Sequence, residues 1–227
     1  MARRPSQGIV MKAMDWAYAS SLDGLKGFES AEALAREFLA TKGTPRQQAD
    51  RLIRRQTTKA ALTGFVSSMG GIAVPLTLPA SFVIVLFIQV RMAAALARMG
   101  GLDLRDDRVR ALVYACVAGE KPEQMLGKLG VVLGGRMTAA AVSSISRSVR
   151  AAINRRVRAR LLSRFRGGRL GRALPVVGGI ITARVEGRAT AEIGRVARDT
   201  FVPRAGRDQL PAKPVRRKAA KRRRARA

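Results

Sequence analysis

Residues 60–90 read AALTGFVSSMGGIAVPLTLPASFVIVLFIQV, thirty-one residues without a charge. A helix crosses the hydrocarbon core of a bilayer with about 20 apolar residues, so length alone admits a span. The interior of the run argues otherwise. Gly70, Gly71, Pro75 and Pro79 fall in its middle, and proline inside a helix removes a backbone hydrogen bond and clashes with the preceding turn. The run therefore predicts two apolar helical arms, over 60–69 and 80–97, joined by a Gly/Pro corner. Two solutions bury such a hairpin: insertion into a membrane as a re-entrant pair, or the central position in a soluble bundle. Arg51, Arg54, Arg55 and Lys59 before it, with Arg91 and Arg98 after it, would hold both ends on the cytoplasmic side. Against insertion, Ser67, Ser68, Thr77 and Gln89 are polar, and backbone broken at membrane depth must find partners within protein. A membrane wedge would turn Ile72, Val74, Leu76, Leu78 and Phe82 outward. With one side of Val83, Leu86 and Phe87 they would form an apolar patch rimmed by arginine, of the kind that marks an interaction surface.

Outward from this run the pattern is helical throughout. Ser30 followed by Ala31, Glu32 and Ala33 reads as a helix start, with Leu34, Phe38 and Leu39 on one apolar face and Lys42-Gly43 as the stop. Thr44 is placed to cap a second helix that opens on Pro45. Beyond the apolar run, Gly100-Gly101 ends one helix, and Asp103, Asp106 and Asp107 precede another carrying Val109, Leu112, Val113 and Cys116 inward. Three carboxylates together suit Mg²⁺, but their place before a helix suits capping of exposed N–H groups better. Pro122 sits in the first turn of a further helix. Val149, Ile153, Val157, Leu161 and Phe165 recur every four residues, an amphipathic stripe. A last helix is expected over 180–201, with Val185, Ile193 and Val196 inward. No stretch alternates with period two. The fold class is therefore all-α: a compact helical bundle containing the Pro/Gly-broken hairpin. Residues 1–44 read as an N-terminal helical segment, 45–203 as the main helical domain, and 204–227 as a Lys/Arg-rich tail with too little to bury to fold alone.

Charge narrows the partner. Lys and Arg number 44 against 15 Asp and Glu, a net +29, far beyond what solubility requires. From Gln124 to Val185 there is no carboxylate, while thirteen Lys and Arg occur. Among them Arg155, Arg156, Arg158, Arg160, Arg164 and Arg166 surround the apolar stripe, and Arg222, Arg223 and Arg224 crowd the tail. These nine are the candidate contacts to an anionic surface, either a lipid leaflet or nucleic acid.

Two blocks carry a family resemblance. Residues 64–119 contain the Gly-rich turn, the Pro-centred hairpin, the segment IQVR and the corner GLDL; residues 174–201 read LPVVGGIITARVEGRATAEIGRVARDTF. In these features the chain is similar to the EcsC protein family. The resemblance covers about two thirds of the chain, within residues 59–201, and contains no catalytic motif. Ser81 stands where members often carry an acidic residue, and Glu186 where they carry Asp or Asn. The resemblance implies a bacterial, membrane-associated helical protein and brings no activity with it.

Most chemistries are poorly served. There is no His, and the single Cys116 excludes a disulfide framework or thiolate cluster. No GxSxG elbow occurs, and GKLGVVLGG at 127–135 lacks the order of a phosphate loop. Aromatics are only 4% of residues, against a stacking platform for single-stranded nucleic acid. Asp103, Asp106, Asp107, Glu120 and Glu186, the available acids, show no pairing in sequence. The expectation is a non-enzymatic protein without metal or cofactor on the cytoplasmic side of the bacterial inner membrane, engaging anionic lipid. The alternative is a soluble cytoplasmic protein whose basic tail binds nucleic acid without sequence preference.

Overall fold

The computed structural model describes residues 7–61, 80–130, 137–166 and 179–203. Among these residues the secondary structure is helical, in the order α1 (Gln7–Asp23), α2 (Ala31–Leu39), α3 (Pro45–Ala61), α4 (Ala80–Met99), α5 (Asp107–Val117), α6 (Pro122–Lys128), α7 (Ala139–Ser143), α8 (Arg147–Arg166) and α9 (Gly179–Phe201). The starts follow local chemistry. Ser30 accepts from the Ala33 N–H at 3.1 Å and caps α2, and Thr44 accepts from Gln47 N–H ahead of Pro45. Asp106 caps α5 by accepting from Arg108 N–H at 2.7 Å.

The centre of the bundle is α4. Its residues from Val83 to Ile88, and again from Val90 to Ala97, are buried, because α1, α2, α3, α5 and α9 all pack around it. A helix apolar on most of its circumference must be buried, and here the neighbouring helices bury it. Ala93, Ala94, Ala95 and Ala97, all fully buried, leave room for neighbours to approach closely. The tightest approaches use glycine. A Cβ on Gly100 would lie 2.3 Å from the Phe201 carbonyl oxygen, and one on Gly194 would lie 2.8 Å from the Ile53 side chain. The first joins the end of α4 to the end of α9; the second seats α9 against α3, its main partner.

The N-terminal helices share this core rather than standing apart from it. Val10, Ala13, Met14 and Ala17 of α1, and Leu34 and Phe38 of α2, belong to one buried cluster with α4. Tyr18 donates to Leu104 O at 2.7 Å, Tyr114 donates to Asp15 at 2.8 Å, and the two rings meet edge-on at 5.7 Å. Burial raises both phenol pKa values. One expected inward residue points out: Leu39, at the last turn of α2, is 43% exposed. The second apolar arm is α4, running two residues past its expected end. Of the first arm, only residues 60 and 61 are described, and they continue α3.

Candidate anionic-surface interface

The apolar wedge and the cationic helix make opposite demands on exposure, and α4 answers the first. Phe82–Met99 is long and apolar enough to cross a membrane, but 83% of it is buried. Val83 is 0% exposed, Leu86 4% and Phe87 1%, and Phe82 packs half-buried against the same core. The expectation that Val83, Leu86 and Phe87 present a lipid-facing patch is thus corrected: all three are buried among the helices that surround α4. Ile72, Val74, Leu76 and Leu78 lie outside the described residues.

A second correction concerns Arg91, expected as a charge flanking the apolar run. It is 1% exposed and heads the largest fully buried side chains. Its Nη1 donates to Glu29 O and its Nη2 to Gln56 Oε1, each at 2.8 Å. The guanidinium carbon lies 5.0 Å from the Phe28 ring centre and 5.8 Å from that of Phe87, so aromatic faces share in solvating the cation. Burial lowers its pKa to about 10, which leaves it charged at neutral pH. Arg91 Nε and Gln56 Nε2 are buried without a hydrogen-bond partner. The clue in sequence is that apolar residues resume at Met92 and continue to Ala97. Arg91 therefore sits inside the helix, not at its end.

The cationic candidate is α8. Ile153 and Val157 are fully buried and Leu161 is 6% exposed, fastening this helix to α5 and α1. With the stripe inward, helical spacing of 100° per residue turns Arg155 and Arg158 to the outward side, and both are exposed. Arg156 and Arg160, also exposed, lie on the flank near α6, where both reach Glu120 at 3.3 and 3.7 Å. Glu120, an available acid by sequence, anchors two arginines. Arg164 and Arg166 fall in the last turns of α8, and no side-chain position is described for them; Arg222, Arg223 and Arg224 lie outside the described residues. Arg158 Nε donates to Asn154 O at 3.3 Å, leaving its charge without an acidic partner among the described residues.

The remaining candidates have structural uses. Asp103 accepts from Arg105 N–H at 2.9 Å, Asp106 caps α5, and Asp107 pairs with Arg110 and Arg150. The Arg108 hydrogen bonds hold the Asp106 carboxyl below its ordinary range. Among the described residues no group of His, Cys, Asp and Glu is arranged to hold a metal ion. Burial pushes the Cys116 thiol up to about 12, which removes the thiolate that a nucleophile needs. Glu186 falls within α9.

Comparison with protein-family models, with curated proteins and with solved structures finds no match to this chain.

Proposed function

We propose that this is a non-enzymatic helical protein that docks peripherally on the anionic cytoplasmic leaflet of a bacterial membrane. The observation that carries the reading is the outward side of α8, where Arg155 and Arg158 stand exposed on a helix clamped from behind by Ile153, Val157 and Leu161. A rigid row of cations within a stretch lacking carboxylates meets a negative surface at little conformational cost. Each base near such a leaflet contributes about 1 kcal/mol, falling off within a Debye length. A transmembrane α4 fits less well. Arg91 would lie near the middle of the span, where insertion scales charge about 2.5–3.5 kcal/mol for arginine, whereas in the bundle it has two hydrogen bonds and two aromatic neighbours. The Gly/Pro corner of residues 70–79 is assigned the apolar half of the attachment on sequence grounds, giving the two signals that stable anchoring takes. The resemblance to the EcsC family points the same way.

Vesicle co-sedimentation tests the reading. Binding is expected to phosphatidylglycerol vesicles and not to phosphatidylcholine vesicles, weakening as salt rises. The pair Arg155→Glu, Arg158→Glu should release most of the protein without changing its helicity. Equal binding to both vesicle types would refute electrostatic docking, and equal binding by the double variant would refute α8 as the surface.

A second reading is favoured by the tail, where Lys213, Arg216, Arg217, Lys218, Lys221, Arg222, Arg223, Arg224 and Arg226 occur within fifteen residues. If about eight met phosphates, log affinity for duplex DNA would fall with log salt at a slope near −7. Removing residues 204–227 should abolish that binding; its survival would clear the tail of the role.

A further inference from the structure

A groove of about 470 Å³ opens between the start of α5 and the start of α8, lined by Arg105, Asp106, Asp107, Arg108, Ile145, Ser146, Arg147 and Arg150. Four guanidinium groups and two carboxylates meet there, and the carboxylates are already engaged. Asp106 takes the fork of Arg108, with Nε at 2.9 and 3.0 Å and Nη2 at 2.7 Å. Asp107 is shared between Arg110 at 2.8 Å and Arg150 at 2.7 Å. The acids therefore act as braces that fix Arg108 and Arg150 in place. Arg105 and Arg147 are exposed and make no ion pair among the described residues, so the groove keeps two uncommitted cations facing one concavity.

Buried Ile145, 4% exposed, pins the segment that carries Arg147. Ser146 caps α8, its hydroxyl accepting from Val149 N–H at 3.3 Å, and the positive end of that helix adds to the potential in the groove. Arginine presents a planar fork that matches two oxygens of a phosphate. The groove is an open, polar concavity with more room than a bare anion requires.

We propose that this groove binds a phosphate monoester, with Arg105 and Arg147 gripping the terminal phosphate and the organic group occupying the remaining space. A monoester phosphate carries close to two negative charges at neutral pH, matching the two uncommitted cations; a diester carries one. The same chemistry occurs on a soluble sugar or glycerol phosphate and on phosphatidic acid in a membrane. The proposal stands whether or not the outward side of α8 docks on a leaflet.

Calorimetry with glycerol 3-phosphate, and sedimentation with phosphatidic acid or phosphatidylglycerol vesicles matched for surface charge, test it. Saturable binding of glycerol 3-phosphate is expected, weakened at least tenfold in Arg105→Ala/Arg147→Ala. The charge-preserving pair Arg105→Lys/Arg147→Lys should also lose affinity, because the fork is gone. Both side chains are exposed, so thermal unfolding should be unchanged. Arg155→Glu/Arg158→Glu should keep glycerol 3-phosphate binding even where vesicle binding falls. A preference for phosphatidic acid that the alanine pair abolishes identifies the membrane as the source; glycerol 3-phosphate binding without that preference identifies a soluble ester. Absence of saturable binding to glycerol 3-phosphate and of any phosphatidic acid preference, or equal binding by the alanine pair, would overturn the proposal.

Discussion

Replacing Gln56 by Leu and Arg91 by Met, singly and together, tests whether the buried cation and its acceptor act as one unit. Gln56→Leu removes the acceptor that Arg91 Nη2 reaches at 2.8 Å, in a side chain whose Nε already lacks a partner. A charged donor orphaned in the core should cost about 2–3 kcal/mol. Arg91→Met removes the cation but leaves Glu29 O and Gln56 Oε1 without a donor, at about 2 kcal/mol once the relieved desolvation of the guanidinium is set against them. If the losses were independent, the double variant would lose about 4–5 kcal/mol, roughly 8–20 °C in Tm for a chain of this size. Because both variants break the same bond, the double is expected to lose only about 1–2 kcal/mol, the part that remains being the Glu29 carbonyl still without its donor. Methionine also keeps a sulfur near Phe28 and Phe87. Urea unfolding followed by circular dichroism measures all four proteins, with an unchanged m-value as the check on two-state behaviour. A double-mutant coupling below about 0.5 kcal/mol would refute the pairing of Arg91 with Gln56.

Three further outcomes follow from the packing and the buried groups. Phe87→Asp should unfold the protein in detergent-free buffer, since an unpaired carboxylate in the core costs several kcal/mol; a stable variant that merely leaves the membrane would restore the wedge. Gly100→Ala should destabilise by about 1–3 kcal/mol through overpacking against the Phe201 carbonyl, as thermal unfolding would show. Alkaline titration should show stability that is full below pH 9.0 and falls towards pH 12, because the folded Cys116 thiol stays protonated while the unfolded one ionises. Cys116→Ala should flatten the first part of that fall, between about pH 9 and pH 10, above which the buried Tyr18 and Tyr114 phenols contribute to it as well. Arg91 works in the opposite sense, its folded pKa near 10 lying below the ordinary guanidinium value, so Arg91→Met should steepen it.

The helices were legible wherever local chemistry and period agreed. Ser30, Thr44 and Asp106 cap as their residue types and positions require, and Ile153, Val157 and Leu161 form the buried stripe of α8 that their spacing predicts. What the sequence left open was decided by neighbours. A largely apolar helix reads alike whether lipid or protein covers it, and no local pattern records that α1, α2, α3, α5 and α9 pack around α4. Leu39 fits an apolar face by period yet stands exposed in the last turn of α2, where no described helix covers it. The groove joins residues about 40 positions apart through the packing of α8 on α5, which no local motif records. Glu120 likewise acquires its arginines only through that docking.

The pairing of α3 with α9 has a consequence for how the chain is made. Ion pairs of Arg46 with Asp199 and of Asp50 with Arg198 tie residues about 150 positions apart. Translation at about 5–20 residues per second delivers α4 several seconds before α9 exists to close over it. Through that interval the most apolar of the described helices has an uncovered side, sheltered in part by α1, α2 and α3 and then by α5. A nascent chain paused before α9 thus carries an incompletely covered apolar helix that invites aggregation or a chaperone.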